Sequence, residues 1–126
     1  MNLEEMKVMV CDDSMFVRKT MVTVISSLGV NKIIEAADGQ QAIDQYTENK
    51  PDLVFMDIVM PVVTGIDALK KIKEIDPSAK VIMASSIGTQ NYLKSAIKAG
   101  AADFLQKPIT ADQVKQILEN VSKGVI

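Results

Sequence analysis

Residues 8–21 read VMVCDDSMFVRKTM. An apolar run ends in two adjacent carboxylates, Asp12 and Asp13, and an amphipathic run begins directly after them. Neighbouring carboxylates repel each other and lose hydration when a strand end is folded away, so the pair is costly unless a positive charge sits between them. The pattern around it is that of a strand, an acidic turn and a helix.

The same alternation repeats five times along the chain. Short, mostly apolar runs predict strands over Lys7–Cys11, Lys32–Ala36, Leu53–Met56, Lys80–Ala84 and Asp103–Gln106, each suited to a parallel sheet covered on both faces. Between and after them, apolar residues recur at helical spacing. The stripes are Val17, Met21, Val24 and Leu28; Ala42, Ile43 and Tyr46; Ala68, Leu69 and Ile72; Leu93, Ala96 and Ile97; and Val114, Ile117, Leu118 and Val121. Gly29 and Gly100 mark the ends of the first and fourth helices, Asp38–Gly39 the start of the second, and Pro51 and Pro77 precede strands. Five βα units in this length predict an α/β fold: one doubly wound, five-stranded parallel sheet with five helices on its two faces.

Composition narrows the functions. The chain has 126 residues, 48% hydrophobic and 24% charged, which suits one soluble domain over 1–126. Of 14 basic residues only Arg18 is an arginine and the net charge is −2, which argues against nucleic-acid binding. A single cysteine, Cys11, makes no internal disulfide, and the absence of histidine removes the usual zinc clusters; both fit a reducing cytoplasm. The opening MNLEEMK is neither a signal peptide nor an anchor, and no apolar run is long enough to insert into a membrane.

In open parallel sheets, ligands gather beyond the carboxyl ends of the strands. Asp12 and Asp13 follow strand 1, Asp57 strand 3, Ser85 and Ser86 strand 4, and Lys107 strand 5. Carboxylates with a backbone carbonyl and waters suit Mg²⁺, so the acidic pair reads as a metal seat. A cation and an ammonium together neutralise a phosphoryl group, which leaves Asp57 as an in-line nucleophile and an aspartyl phosphate as product. With no histidine in the chain, any imidazole this chemistry requires belongs to another protein.

CDDS (11–14), FMDIVMPVVTG (55–65), IMASS (82–86) and DFLQKPI (103–109) together resemble the receiver domain of bacterial two-component response regulators. The resemblance covers nearly the whole chain. It implies a flavodoxin-like strand order, 2-1-3-4-5. It further implies that Asp12 and Asp13 are the acidic metal pair, Asp57 the phosphoacceptor and Val59 a ligand through its carbonyl. Ser85 matches the switch hydroxyl, Phe104 the switch aromatic, and Lys107 the phosphate-contacting lysine, with Lys107–Pro108 a cis peptide. Val59 and Ile87 match the positions that flank the hydrolytic water; both are apolar, so the phosphoryl group should be long-lived and a separate phosphatase useful. Relatives usually carry Asp, Ser or Asn where this chain has Thr64, which still suits a helix cap.

Within that family, DDSMFVRKTM and the stand-alone length are most similar to CheY-like chemotaxis regulators. The implied partners are a histidine kinase as phosphoryl donor and a downstream protein such as a flagellar motor switch component, docking near Asn91, Lys94 and Lys98. Helix 5 is expected to end near Ser122, leaving no output domain, so the chain is a signalling protein that catalyses only its own phosphoryl transfer and dephosphorylation. One alternative is a receiver cut from a longer transcriptional regulator, although Ala111–Ser122 lacks the arginines that pair such dimers. Another is a phosphatase of the haloacid dehalogenase type, which wants an acid two residues after its nucleophile, where this chain has Val59. A flavodoxin-type flavin carrier is a third, and Asp12–Asp13 would repel its phosphate.

Plainer readings exist for each residue. Asp12, Asp13 or Ser14 serve as helix caps, Lys107 as a solvated lysine, and Ser85 as a satisfier of nearby backbone. Cys11 reads as a small buried hydrophobe and Arg18 as a surface cation.

Overall fold

A computed structural model describes residues 1–86 and 89–126. Its strands are β1 (Lys7–Cys11), β2 (Lys32–Ala36), β3 (Leu53–Asp57), β4 (Val81–Ser85) and β5 (Asp103–Gln106). They form one parallel sheet in the order β2-β1-β3-β4-β5. The helices are α1 (Met15–Ser27), α2 (Gly39–Asn49), α3 (Gly65–Ile75), α4 (Leu93–Lys98) and α5 (Ala111–Ser122). This is the predicted doubly wound fold.

Alternate residues of the strands supply two cores. Met9, Cys11, Val54, Met56 and Met83 pack with α2, α3 and Ala96 of α4 on one face. Val8, Val10, Phe55 and Ile82 pack with Met21 and Ile25 of α1 and with Val114, Ile117 and Leu118 of α5 on the other. The three central strands are therefore dry on both sides, as near-continuous apolar runs require. β2 and β5 are edges, and β5 is largely exposed.

Local chemistry sets the helix ends. Ser14, Asp38, Thr64 and Thr110 each accept a hydrogen bond from the backbone N–H three residues on, and Thr110 with Gln113 forms a reciprocal capping box. Gly29 and Gly100, with φ of +110° and +102°, follow α1 and α4 where only glycine is at ease.

The structure corrects several boundaries and faces. β3 extends to Asp57 and β4 runs one residue later than expected, so Asp57 and Ser85 are the last residues of their strands and stay in the ladder. Ile97 is 55% exposed, not part of the core, because α4 is only six residues long and seats chiefly through Ala96. Ile25 carries the deepest contact of α1, a position the expected stripe omits. Asn91 lies in a 3-10 turn (Gln90–Tyr92) ahead of α4 and not within it. Among the described residues, no helix is long and apolar enough to cross a membrane.

Candidate functional site

The opening stretch delivers its acids to the carboxyl end of the sheet. Ser14 does the capping: its hydroxyl accepts from Val17 N–H at 3.2 Å, while Asp12 Oδ1 accepts from Ser14 N–H at 2.9 Å and folds the turn. Asp12 and Asp57 are buried and Asp13 is exposed. Each offers a carboxylate oxygen within 4.8 Å of the others, a hard all-oxygen donor set that fits a divalent cation such as Mg²⁺.

Lys107 supplies the compensating charge. Its Nζ lies 2.7 Å from Asp12 Oδ2 and 3.3 Å from Asp57 Oδ2. Its backbone N–H donates to Ser85 O at 2.7 Å, and the following bond to Pro108 is cis. The solvated-lysine reading is thereby overturned. Burial works against the ammonium, but the Asp12 hydrogen bond and the charges of Asp57 and Asp12 outweigh it and hold Lys107 above its usual range. Burial pushes the Asp57 carboxyl up, and Asp12 adds to this. Lys107 and the Val59 N–H pull it back only in part. Asp57 is thus a partly desolvated carboxylate held 3.3 Å from the Lys107 ammonium.

Ser85 is fully buried, and its Oγ finds no hydrogen-bond partner among the described residues, so it does not serve as a backbone satisfier. A buried hydroxyl in that state is costly unless something occupies the site. Ser86, by contrast, donates its backbone N–H to Thr89 Oγ1 at 2.9 Å. Phe104 is 40% exposed, which excludes an ordinary core role. Val59 is 54% exposed beside Asp57. Ile87 lies outside the described residues.

Arg18 is a correction. Instead of a surface cation it is largely enclosed, with Nε 2.9 Å from Glu35 Oε1 and Nη1 2.7 Å from the carbonyl oxygen of Asp12. It ties α1 and β2 to the acidic turn. The available signal was its place four residues after the Ser14 cap, facing a strand that pairs Glu35 with Val10. Cys11 is buried, and burial raises its thiol far above the reactive range, in keeping with a packing role.

Gly65 is the residue whose positional importance the sequence did not reveal. Its N–H donates to Ile58 O at 2.8 Å, and a Cβ there would collide with the Asp57 carbonyl oxygen and the Ile58 backbone. Gly65→Ala should cost roughly 1–3 kcal/mol through overpacking and displace the Asp57 backbone. Urea unfolding and a Mg²⁺ titration read both effects, and an unaltered midpoint with unaltered affinity would refute the packing argument.

Comparison with known proteins converges on one family. The response regulator receiver domain matches residues 8–119. The chemotaxis protein CheY of Thermotoga maritima is 44% identical across 93% of this chain and 98% of its own length. Its counterpart from Bacillus subtilis is 44% identical across 93% of this chain and 95% of its own. A solved response regulator receiver domain protein from Clostridium thermocellum superposes with a TM-score of 0.88 at 28% identity, covering 96% of this chain and 99% of that one. Since the sequence match spans all five strands and most of α5, the chain belongs to the response regulator receiver domain family.

Proposed function

We propose that this receiver is a phosphorylation-activated switch of a two-component pathway, taking a phosphoryl group on Asp57 from a phosphohistidine of a partner kinase. The observation that carries the reading is the trio of Asp12, Asp57 and Lys107, joined at 2.7 and 3.3 Å at the carboxyl end of the sheet. An Asp57 oxygen attacks phosphorus as the bond from phosphorus to the donor imidazole nitrogen breaks, and the electron pair stays on that nitrogen, which takes up a proton. Lys107 turns from the carboxylate to the phosphoryl oxygens, and Ser85 Oγ donates its free hydrogen to another. Asp12, Asp13, Asp57 and the Val59 carbonyl would hold Mg²⁺, whose charge, when bound, offsets that of the phosphoryl oxygens.

A cleft of about 520 Å³ borders Lys107 and is lined by Phe16, Val17, Met21, Pro108 and Ile109. Phe16 is 80% exposed there, so apolar surface is available to the donor beside the reacting carboxylate. The test is transfer of labelled phosphoryl from a phosphorylated kinase: Mg²⁺-dependent, alkali-labile label on the wild type supports the reading. Labelling that persists in Asp57→Asn defeats it.

The relatives named for chemotaxis favour that pathway; on this reading a flagellar motor switch component is the downstream partner and the cytoplasm the location. The output lies in Ser85 and Phe104. Ser85 moves toward the phosphoryl oxygens, the Phe104 ring turns inward, and the surface of Asn91, Lys94 and Lys98 changes with it. Phe104 has no hydroxyl to anchor it, so packing alone sets the balance between ring positions. Partner affinity should rise with beryllofluoride, a phosphoryl mimic, and Phe104→Ala should shrink that gain more than it lowers labelling at Asp57. Equal partner affinity with and without the mimic would exclude this output.

Exposed, apolar Val59 cannot orient a water by hydrogen bonding, so the phosphoryl group should decay slowly and a phosphatase should reset the switch. Val59→Asn is expected to change the decay rate of labelled protein, and an unchanged rate would count against Val59 as the cause.

A further inference from the structure

We propose that Met83 is the side chain that yields to the Phe104 ring, so that an unbranched methionine is a positioning residue of the switch. The inference rests on the reading of Phe104 as the responding ring.

Parallel register sets one row of side chains across the sheet. Ala36 pairs with Cys11, Cys11 with Met56, Met56 with Met83, and Met83 with Phe104. Cys11, Met56 and Met83 are buried in the core beneath α2, α3 and α4, and Phe104 ends the row at the exposed edge. Each sulfur residue lies just before the chemistry: Asp12 follows Cys11, Asp57 follows Met56, and Ser85 is two residues beyond Met83 on the same face. Three adjacent sulfur side chains thus underlie the acid site and end at the ring.

An interior at crystal-like density does not compress, so a ring that turns inward needs a neighbour that moves. α4 packs through Ala96, with Leu93, Ala99 and Ala101 partly buried; an alanine has no torsion to change, and Leu93, on the helix, is not paired with the ring in the sheet as Met83 is. Ser85, which moves toward the phosphoryl oxygens, is too small to leave room for a ring by itself. Met83 sits directly opposite the ring and has three rotatable bonds and a polarisable sulfur that tolerates an aromatic contact, so it re-packs without a void. Behind it, Met56 has the same freedom. A β-branched residue in this place is fixed at χ1 and would hold the ring out.

The experiment uses the full chain carrying fluorophenylalanine and methyl-labelled methionine, with Mg²⁺ and beryllofluoride. In the wild type, the mimic should reduce exposure of the Phe104 fluorine to a soluble paramagnetic quencher and shift the Met83 methyl resonance. Met83→Ile should lose most of the ring protection while beryllofluoride half-saturation changes less than about twofold, the ring being blocked through χ1 stiffness. Met83→Leu, which conserves volume and lacks the β-branch, should keep most of the protection. A Met83 methyl that does not respond in the wild type overturns the proposal without recourse to any variant, as does full ring protection in Met83→Ile. A wild-type ring that gains no protection instead removes the underlying reading of Phe104.

Discussion

Asp57→Asn is expected to give a protein that takes no phosphoryl label and, with divalent cations chelated at neutral pH, melts a few degrees above the wild type. The first effect follows from loss of the nucleophilic oxygen, since an amide does not attack phosphorus at a useful rate. The second follows from crowding. Asp12 and Asp57 are both buried and share one lysine. Burial and the Asp12 charge hold the Asp57 carboxyl above its ordinary value. A carboxyl raised in the folded state favours the fold when protonated, and that contribution is lost as pH rises through the folded value. At neutral pH the charged group is therefore a burden of roughly 1 kcal/mol, the ordinary size of a single-residue effect, and Asn relieves it. The advantage should fade on acidification as the wild-type carboxyl protonates, and excess Mg²⁺ should raise the wild type more than the variant. Thermal melts with chelator and with Mg²⁺ test this; a variant no more stable than the wild type in chelator would contradict the crowding argument.

Much of this site was legible because strand ends are marked by chemistry. The run KVMVC is followed by Asp12 and the run LVFMD closes on Asp57, and the turn from apolar to acidic fixes where the two acids lie. Lys107 is found by the same rule just after β5, although only the fold reveals that its ammonium crosses to Asp12, just after β1. Periodicity located α1 yet missed Ile25, because a stripe of valines and leucine along the helix leaves several faces equally apolar. It placed Ile97 inside because spacing does not report how short α4 is or how little of the sheet edge it covers. Arg18 and Gly65 stayed hidden for another reason. Each role turns on a backbone carbonyl oxygen across the turn, that of Asp12 for Arg18 beside its Glu35 carboxylate and that of Asp57 for Gly65, and backbone partners leave little trace in side-chain pattern.

Lys107→Met should separate metal binding from phosphoryl acceptance. At neutral pH the wild-type ion pair is complete: the lysine is raised in the folded state, so its stabilising contribution is present below its unfolded value and lost only as pH climbs through the raised one. Methionine keeps length and removes charge, leaving Asp12 and Asp57 buried together without a cation. Breaking a fully buried pair costs about 3–5 kcal/mol. Lys107 is 21% exposed and the mouth of the site is open to water, so screening reduces the expected loss to roughly 1–3 kcal/mol in chelator. The same vacancy should strengthen Mg²⁺ binding about tenfold, equivalent to about 1.4 kcal/mol, because the cation no longer competes with an ammonium held at 2.7 Å from Asp12 and 3.3 Å from Asp57. Labelling should nevertheless slow, since the phosphoryl oxygens lose their only side-chain cation among the described residues of the acid cluster. Tighter metal with slower transfer is a combination that general disruption of the fold does not produce. Calorimetric Mg²⁺ titration and the rate of label uptake measure the two halves. Unchanged or weaker Mg²⁺ affinity would show that Lys107 and the cation do not share the carboxylates, and the charge assignment of the site would fall with it.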